Sequence, residues 1–415
     1  MLEQRRLDEL VASTDEKIVS NKDVTLPYIG LEHVGQHGAG FVGSALASES
    51  ISTNSVFRAG DILFGKLRPN LRKCELATAA GYCSTDILVL RPRDGVSAKF
   101  AARVLQTDKV GASAEKTAAG TKMPRTSWRE LRPLSVFCPD LNEQAQIAEV
   151  LDTLDTTIRQ TEAIIAKLKQ VKQGLLHDLL TRGIDANGEL RPPQSGTRRT
   201  WKVNPLGPLM DGMPRNGIYK PASDIGAGTL LIGQTAFTPS GSVDASLARR
   251  ARLTKAEQEM FSLRREDLLV SRVFATREGV GQPVLVPDFG EPAVFESNMM
   301  RIRCRTYLIR APYLFHWLKH RTSRAWLMSR AFASNQASIN RETLCGVPVH
   351  LPPVHEQDQI LSIISEEDAR LEREVDEMNK LKQLKSGLMD DLLTGRVRVT
   401  PLLSNSGQSS PEGTD

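Results

Sequence analysis

What this sequence lacks narrows the field first. Nowhere do eighteen or so apolar residues run together, the length a bilayer span needs, and the opening MLEQRRLDEL carries charge where a signal peptide would be apolar. The expectation is a cytoplasmic chain with no membrane segment. Cysteine is sparse: Cys74, Cys83, Cys138, Cys304 and Cys345 are odd in number and form no CxxC or Cys/His cluster. That argues against a disulfide framework and a zinc site, and for buried thiols. A dominant sign of charge is missing too. Fifty-four Lys and Arg stand against 49 Asp and Glu, a net +5, compatible with a polyanionic partner but too mild to establish one.

Catalytic motifs are also wanting. Gly60 to Leu67, GDILFGKL, fits the phosphate-binding G-x-x-x-x-G-K-[ST] loop except at its last position. Leu67 cannot ligate magnesium, and Asp61-Ile62-Leu63-Phe64 is an acidic, bulky strand where that loop would be open. No Asn/Asp-Pro-Pro-aromatic motif for a base amino group is present; Asn204-Pro205-Leu206-Gly207 lacks the second proline and the aromatic. The seven histidines form no H-E-x-x-H or triad-like context, and Asp390-Asp391 reads as a solvated pair on a helix. A catalytic site, a metal site and a cofactor of the chain's own are therefore not expected.

What is present is a repeat. Asn142-Glu143-Gln144 recurs as His355-Glu356-Gln357, and KLKQVKQGLLHDLLT from Lys167 recurs as KLKQLKSGLMDDLLT from Lys380, both at an offset of 213 residues. In the first copy Ile147, Leu151, Leu154, Ile158, Ile165, Leu168, Leu175 and Leu179 step by alternating threes and fours, apart from polar Thr161 and Lys172. The second places Ile360, Ile364, Leu371, Met378, Leu381, Leu388 and Leu392 at matching positions, with Glu367 and Glu374 interrupting. This is the seam of a coiled coil, and a helix from Asn142 to Leu180 would run roughly 55 to 60 Å. Ordinary amphipathic helices within one large core are the alternative, and length and repetition count against it.

The 415 residues suit two or three domains. The fold expected is α+β: two mixed α/β units separated by two long antiparallel coiled-coil helices, in a pseudo-two-fold chain. The boundaries read as a first unit over 1–140, a helix over 141–183, a linker over 184–200, a second unit over 201–353, a second helix over 354–396 and a disordered tail over 397–415. Within the units, LPYIGLEHV resembles TLLIGQTAF, AGDILFGKL resembles REDLLVSRV, and STDILVLRP resembles SNMMRIRCR. Each is a strand-like run. Helix-like segments follow at Phe100 to Leu105 and Tyr313 to Ser329.

Binding chemistry is concentrated on loops. GKLRPNLRK places Lys66, Arg68, Asn70, Arg72 and Lys73 after a strand, with Pro69 preventing its regular continuation. Arg and Asn there could read guanine or adenine edges. The matched loop of the second unit offers Ser271, Arg272 and Arg277. A second pair of loops carries Thr121, Lys122 and Arg125 in one unit and Asn335, Gln336, Asn340 and Arg341 in the other. Any one of these residues alone would pass for a solvated surface group; matched loops in both halves weaken that reading.

These residues resemble a known family. GDILFGKLRPNLRKCELA, STDILVLRP, the Pro-x-Leu-x-Glu-Gln-x-Gln-Ile-Ala segment and the KLKQVKQGLLHDLLT ending are similar to the specificity subunit of type I restriction-modification systems. The resemblance runs over nearly the whole chain. It implies two target-recognition domains alternating with two spacer helices, each domain reading one half of a split, asymmetric target in double-stranded DNA. It further implies a non-catalytic subunit that scaffolds two methyltransferase subunits and two motor-nuclease subunits, with S-adenosylmethionine, ATP and magnesium held by those partners. Alternatives are a subunit of a methylation-only or target-switching system, a coiled-coil adaptor without DNA selectivity, and a lone methyltransferase or nuclease.

Overall fold

The computed structural model describes residues 3–19, 23, 25–50, 52–192, 201–333 and 336–399. The chain divides into two compact units, residues 1–164 with 374–415 and residues 165–373, so that each unit holds part of both long helices. Those helices are Leu141–Thr181 and Val354–Thr394, 41 residues each.

In the first unit, strand Gln4–Arg6 pairs antiparallel with Ser135–Phe137. A four-stranded sheet follows in the order Val11–Ser13, Ile87–Pro92, Ile62–Gly65, Cys74–Leu76. All four residues of Ile62–Gly65 are buried, as suits a continuous apolar run in a sheet covered on both faces. Here the near-match to a phosphate loop is a core strand. A five-stranded sheet contains Pro27–Ile29 running parallel to Gly81–Ser84. Helix Ala98–Leu105 begins at Ser97, whose hydroxyl accepts from Phe100 N at 3.4 Å, and it buries Phe100, Ala101, Val104 and Leu105.

The second unit repeats this plan. Lys202–Pro205 pairs with Pro348–Leu351, and a four-stranded sheet runs Arg215–Asn216, Met299–Ile302, Leu268–Ser271, Pro283–Leu285. Strand Ile225–Ile232 lies parallel to Ala293–Phe295. The segment read as one helix from Tyr313 to Ser329 is two, Ala311–Lys319 and Arg321–Arg330, parted at an extended His320. The matched helices of the first unit, Ala98–Leu105 and Asp108–Lys116, are parted in the same way.

A buried Asp–Arg clip closes the central antiparallel strand pair of each unit's four-stranded sheet. Asp61 accepts both Arg91 Nε and Nη2 at 2.8 Å and the Arg58 amide at 2.9 Å. Asp267 accepts Arg303 Nε at 2.8 Å and Nη2 at 3.0 Å and the Arg264 amide at 2.9 Å. The thiols are buried for Cys74, Cys83 and Cys138, partly so for Cys304 and Cys345, and all are free. Burial pushes Cys83 and Cys304 up to about 12, so neither is a ready nucleophile.

The seam positions form the inner faces of the long helices. Ile147, Leu151, Ile158, Leu168, Ile360 and Ile364 are buried, while Leu154, Leu175, Leu371, Leu381 and Leu388 are half-buried. Within the first unit the helices run antiparallel, with Lys385 on Asp155 at 2.5 Å and Lys382 on Glu162 at 2.8 Å. Lys172 on Asp368 does the same in the second.

The repeated Glu-Gln pair locks this arrangement. Glu143, 1% exposed, accepts Arg398 Nη2 at 2.5 Å and the Val399 amide at 3.2 Å, from the chain that has just left the other helix. Glu356 accepts Arg191 Nη1 at 2.5 Å, Trp201 Nε1 at 3.1 Å and the Ile184 amide at 3.1 Å, from the chain leaving the first. Gly183 makes that exit possible: its φ is +72°, and a Cβ would lie 2.5 Å from Glu356 Oε1. Gln144 joins Ser97 N at 2.9 Å to Pro139 O at 2.8 Å, and Gln357 joins Arg310 N at 2.8 Å to Leu308 O and Pro352 O at 2.9 Å. Ser97 and Arg310 are the cap residues of matched helices. Within the 184–200 segment Ile184 and Arg191 thus belong to a clamp, as Arg398 and Val399 do within 397–415; residues 193–200 and 400–415 lie outside the described residues.

Two stability predictions follow from these contacts. Glu356→Gln removes the charge facing Arg191 in a buried site and should cost about 3 kcal/mol, seen as a lower urea midpoint. Lys382→Ala, which breaks an exposed pair, should cost less than about 1 kcal/mol. Second, burial pushes His316 and His320 of the second unit down to about 4; His320 Nε2 also meets His177 Nδ1 at 2.9 Å and its ring stacks on Trp317. The unfolded chain binds these protons near pH 6.5, so the folded state is fully favoured above that pH and loses stability as pH falls toward 4. Melting temperature against pH should drop across this window, and His316→Gln should flatten the drop.

Candidate nucleic-acid interface

The interior strand Ile62–Gly65 delivers Lys66 to its C-terminal end, where Lys66 N donates to Asp86 O at 3.0 Å and Lys66 O accepts from Thr126 N at 3.0 Å. Those bonds join the two loops that sequence reading placed apart. Arg68 N also donates to Pro124 O at 2.8 Å, and Leu67 and Ala119 both bridge Arg125. Lys66, Arg68 and Asn70 are thereby brought beside Thr121, Lys122 and Arg125. Arg68 and Arg72 flank the short turn Pro69–Leu71 with φ of 50° and 47°, a left-handed conformation uncommon outside glycine. Sequence offered no sign of that geometry.

Not every cation on these loops faces solvent alone. Lys73 Nζ donates to Leu31 O at 2.6 Å. Arg72 pairs with Asp108 and, at 3.4 Å, with Glu115, over Gly111, where a Cβ would come within 2.8 Å of Arg72 Nε. Arg125 is held by Asp86 through Nε at 2.9 Å and Nη2 at 3.2 Å, its side chain 44% exposed. Arg68, Asn70, Thr121 and Lys122 are exposed, and Lys66 is half-buried.

The second unit builds the same junction with other side chains. Arg272 N donates to Asn298 O at 2.9 Å and Arg272 O accepts from Ile339 N at 2.9 Å. Arg272 and Ile339 occupy the places of Lys66 and Thr126. Strands Val273–Phe274 and Phe332–Ala333 flank Ala337–Ser338 on either side. Ser271 is buried and its hydroxyl has no partner among the described residues; Arg272 Nε donates to Ser297 O at 3.2 Å. Asn340 caps helix Arg341–Cys345 by accepting from Thr343 N at 2.7 Å. Arg277, Gln336, Asn340 and Arg341 are exposed, and Asn335 lies outside the described residues. At Gly279, the Phe274 ring fills the space a Cβ would need.

Chemically, each junction offers cations and amides on a fixed backbone, suited to phosphates and base edges. Among the described residues no group of three or more His, Cys, Asp or Glu is placed to hold a metal ion, and no helix is long and apolar enough to cross a membrane.

Comparison with known proteins places the chain. Residues 3–170 and 255–383, more than half of it, match the family described as type I restriction modification DNA specificity domain. It is 24% identical over 290 residues to the type I restriction enzyme MjaVIII specificity subunit of Methanocaldococcus jannaschii, covering 68% of this chain and 67% of that one. It is 23% identical over 273 residues to the StySPI specificity subunit of Salmonella potsdam, covering 66% of this chain and 58% of the relative. Among solved structures, the HsdS subunit from Thermoanaerobacter tengcongensis superposes with a TM-score of 0.55 at 18% identity, over 95% of this chain and 97% of its own. A chain from a structural study of type I restriction-modification complex assembly and conformational transition does so with 0.64 at 19%, over 95% and 98%. These structures share the fold.

One prediction tests how the junction is held. Asp267→Asn leaves Arg303 without its buried carboxylate and should destabilise the second unit by about 3 kcal/mol, measured as a fall in urea midpoint. Asp61→Asn should do the same to the first.

Proposed function

The chain belongs to the type I restriction-modification DNA specificity family, and from that premise we propose that it is the sequence-reading, non-catalytic subunit of a DNA methylation and restriction complex. Each unit reads one half of a split, asymmetric target in double-stranded DNA. Lys66, Arg68, Asn70, Thr121, Lys122 and Arg125 face the first half-site; Arg272, Arg277, Asn340 and Arg341 face the second. The recognition domains span 1–140 and 201–353, related by a pseudo-two-fold, and the antiparallel helices set the unspecified gap between half-sites. Two methyltransferase subunits and two motor-nuclease subunits dock on this frame and carry S-adenosylmethionine, ATP and magnesium.

One observation carries the reading. Two separate loops in each unit are tied at the same place by the same pair of backbone hydrogen bonds, while the side chains presented there differ between units. A common scaffold with two side-chain sets is what recognition of an asymmetric sequence requires, since phosphate contacts position and base contacts specify.

The test is a selection from a randomised duplex library with the assembled complex. Arg68→Ala should relax base preference in one half-site by roughly 1 to 3 kcal/mol at the affected position and leave the other half unchanged. Equal loss in both halves contradicts a one-unit, one-half-site reading.

A further inference from the structure

The junction that ties the loops is a three-residue ladder, and its rungs differ between units in a way that bears on base choice. In the first unit Leu67 and Ala119 lie on either side of Arg125. In the second, Val273 and Phe332 lie on either side of Ser338. Phe332 thus takes the place of Ala119, and Ser338 the place of Arg125. Side chains directly opposite one another in such a ladder share a face, so the guanidinium of one unit is replaced on that face by a phenyl ring.

Phe332 is 60% exposed. It lines a concave space of about 340 Å³ with Asn216, Arg272, Ser338, Ile339, Asn340, Arg341 and Glu342, two arginines against one carboxylate. A large aromatic left in water beside two arginines has apolar area to bury, and the cations around it suit a polyanionic surface rather than a second apolar chain. Arg125, by contrast, is oriented by its two bonds to Asp86, which fixes the plane of a guanidinium able to meet a guanine edge.

We propose, resting on the DNA-reading function above, that this ladder sets base identity: Arg125 reads a guanine in the first half-site, and Phe332 reads the methyl group of a thymine in the second. Both are major-groove contacts: the guanine O6 and N7 accept from the guanidinium, and the thymine C5-methyl packs on the ring.

The experiment uses the assembled complex with full-length chain and the duplex recovered from the library selection. Each thymine of the second half-site is replaced in turn by uracil, which removes only the methyl group. Wild type should lose about fourfold in affinity at one position, the worth of one buried methyl, and Phe332→Ala should bind thymine and uracil duplexes alike there. Arg125→Ala should lose preference for guanine at one first-half position and keep the uracil effect in the second half. The proposal is overturned if no uracil substitution matters to wild type, or if Phe332→Ala remains as sensitive as wild type. It is also overturned if Phe332→Ala weakens every sequence equally, which marks a packing or wedge role. A complex that does not prefer the selected duplex over a scrambled one overturns the DNA-reading function together with this assignment.

Discussion

A carboxylate buried at the start of each long helix holds the rest in place. Glu143 and Glu356 each accept from the chain that has just left the other helix, so neither helix can slide, reverse or separate without stranding a charge in a dry site. The glutamine next to each glutamate reaches the other way, to the amide of the residue that caps a helix in the α/β unit. One dipeptide therefore fixes helix to helix and helix to sheet. The exposed pair of Lys382 with Glu162 adds register rather than much stability, because exposed pairs are worth little.

From that frame the order of dependence runs outward. The helix seated by Gln144 or Gln357 packs against the four-stranded sheet, whose central strand pair is closed by Asp61 with Arg91 or Asp267 with Arg303. The strand leading from that aspartate ends at Lys66 or Arg272, where backbone bonds gather the second loop. Everything up to that point is alike in both units. What differs is the set of side chains beyond it, presented on junctions that the same pair of backbone hydrogen bonds ties in each unit.

Much of this frame was legible because it repeats. Seam residues at threes and fours, and equal segments 213 residues apart, are properties of order along the chain. Partners across the chain were not legible. Glu356 could be seen to recur, but Arg191, Trp201 and the Ile184 amide are brought to it by tertiary folding alone. For the same reason Arg72, Lys73 and Arg125 could be listed as DNA-binding candidates on two loops, while their engagement by Asp108 and Glu115, Leu31 O and Asp86 could not be seen. The break at His320 was hidden because helical periodicity continues on both sides of it. Phe332 drew no notice, since an aromatic next to a short strand reads as core until its exposure is known.

The central claim is that two units on one frame read two different half-sites. The most direct test is methylome sequencing of a host expressing this chain with its cognate methyltransferase subunit, set against a host expressing the methyltransferase alone. The account predicts methylated adenines in a split, asymmetric motif that appears only when this chain is present. Methylation in its absence, or a short continuous motif, would contradict it.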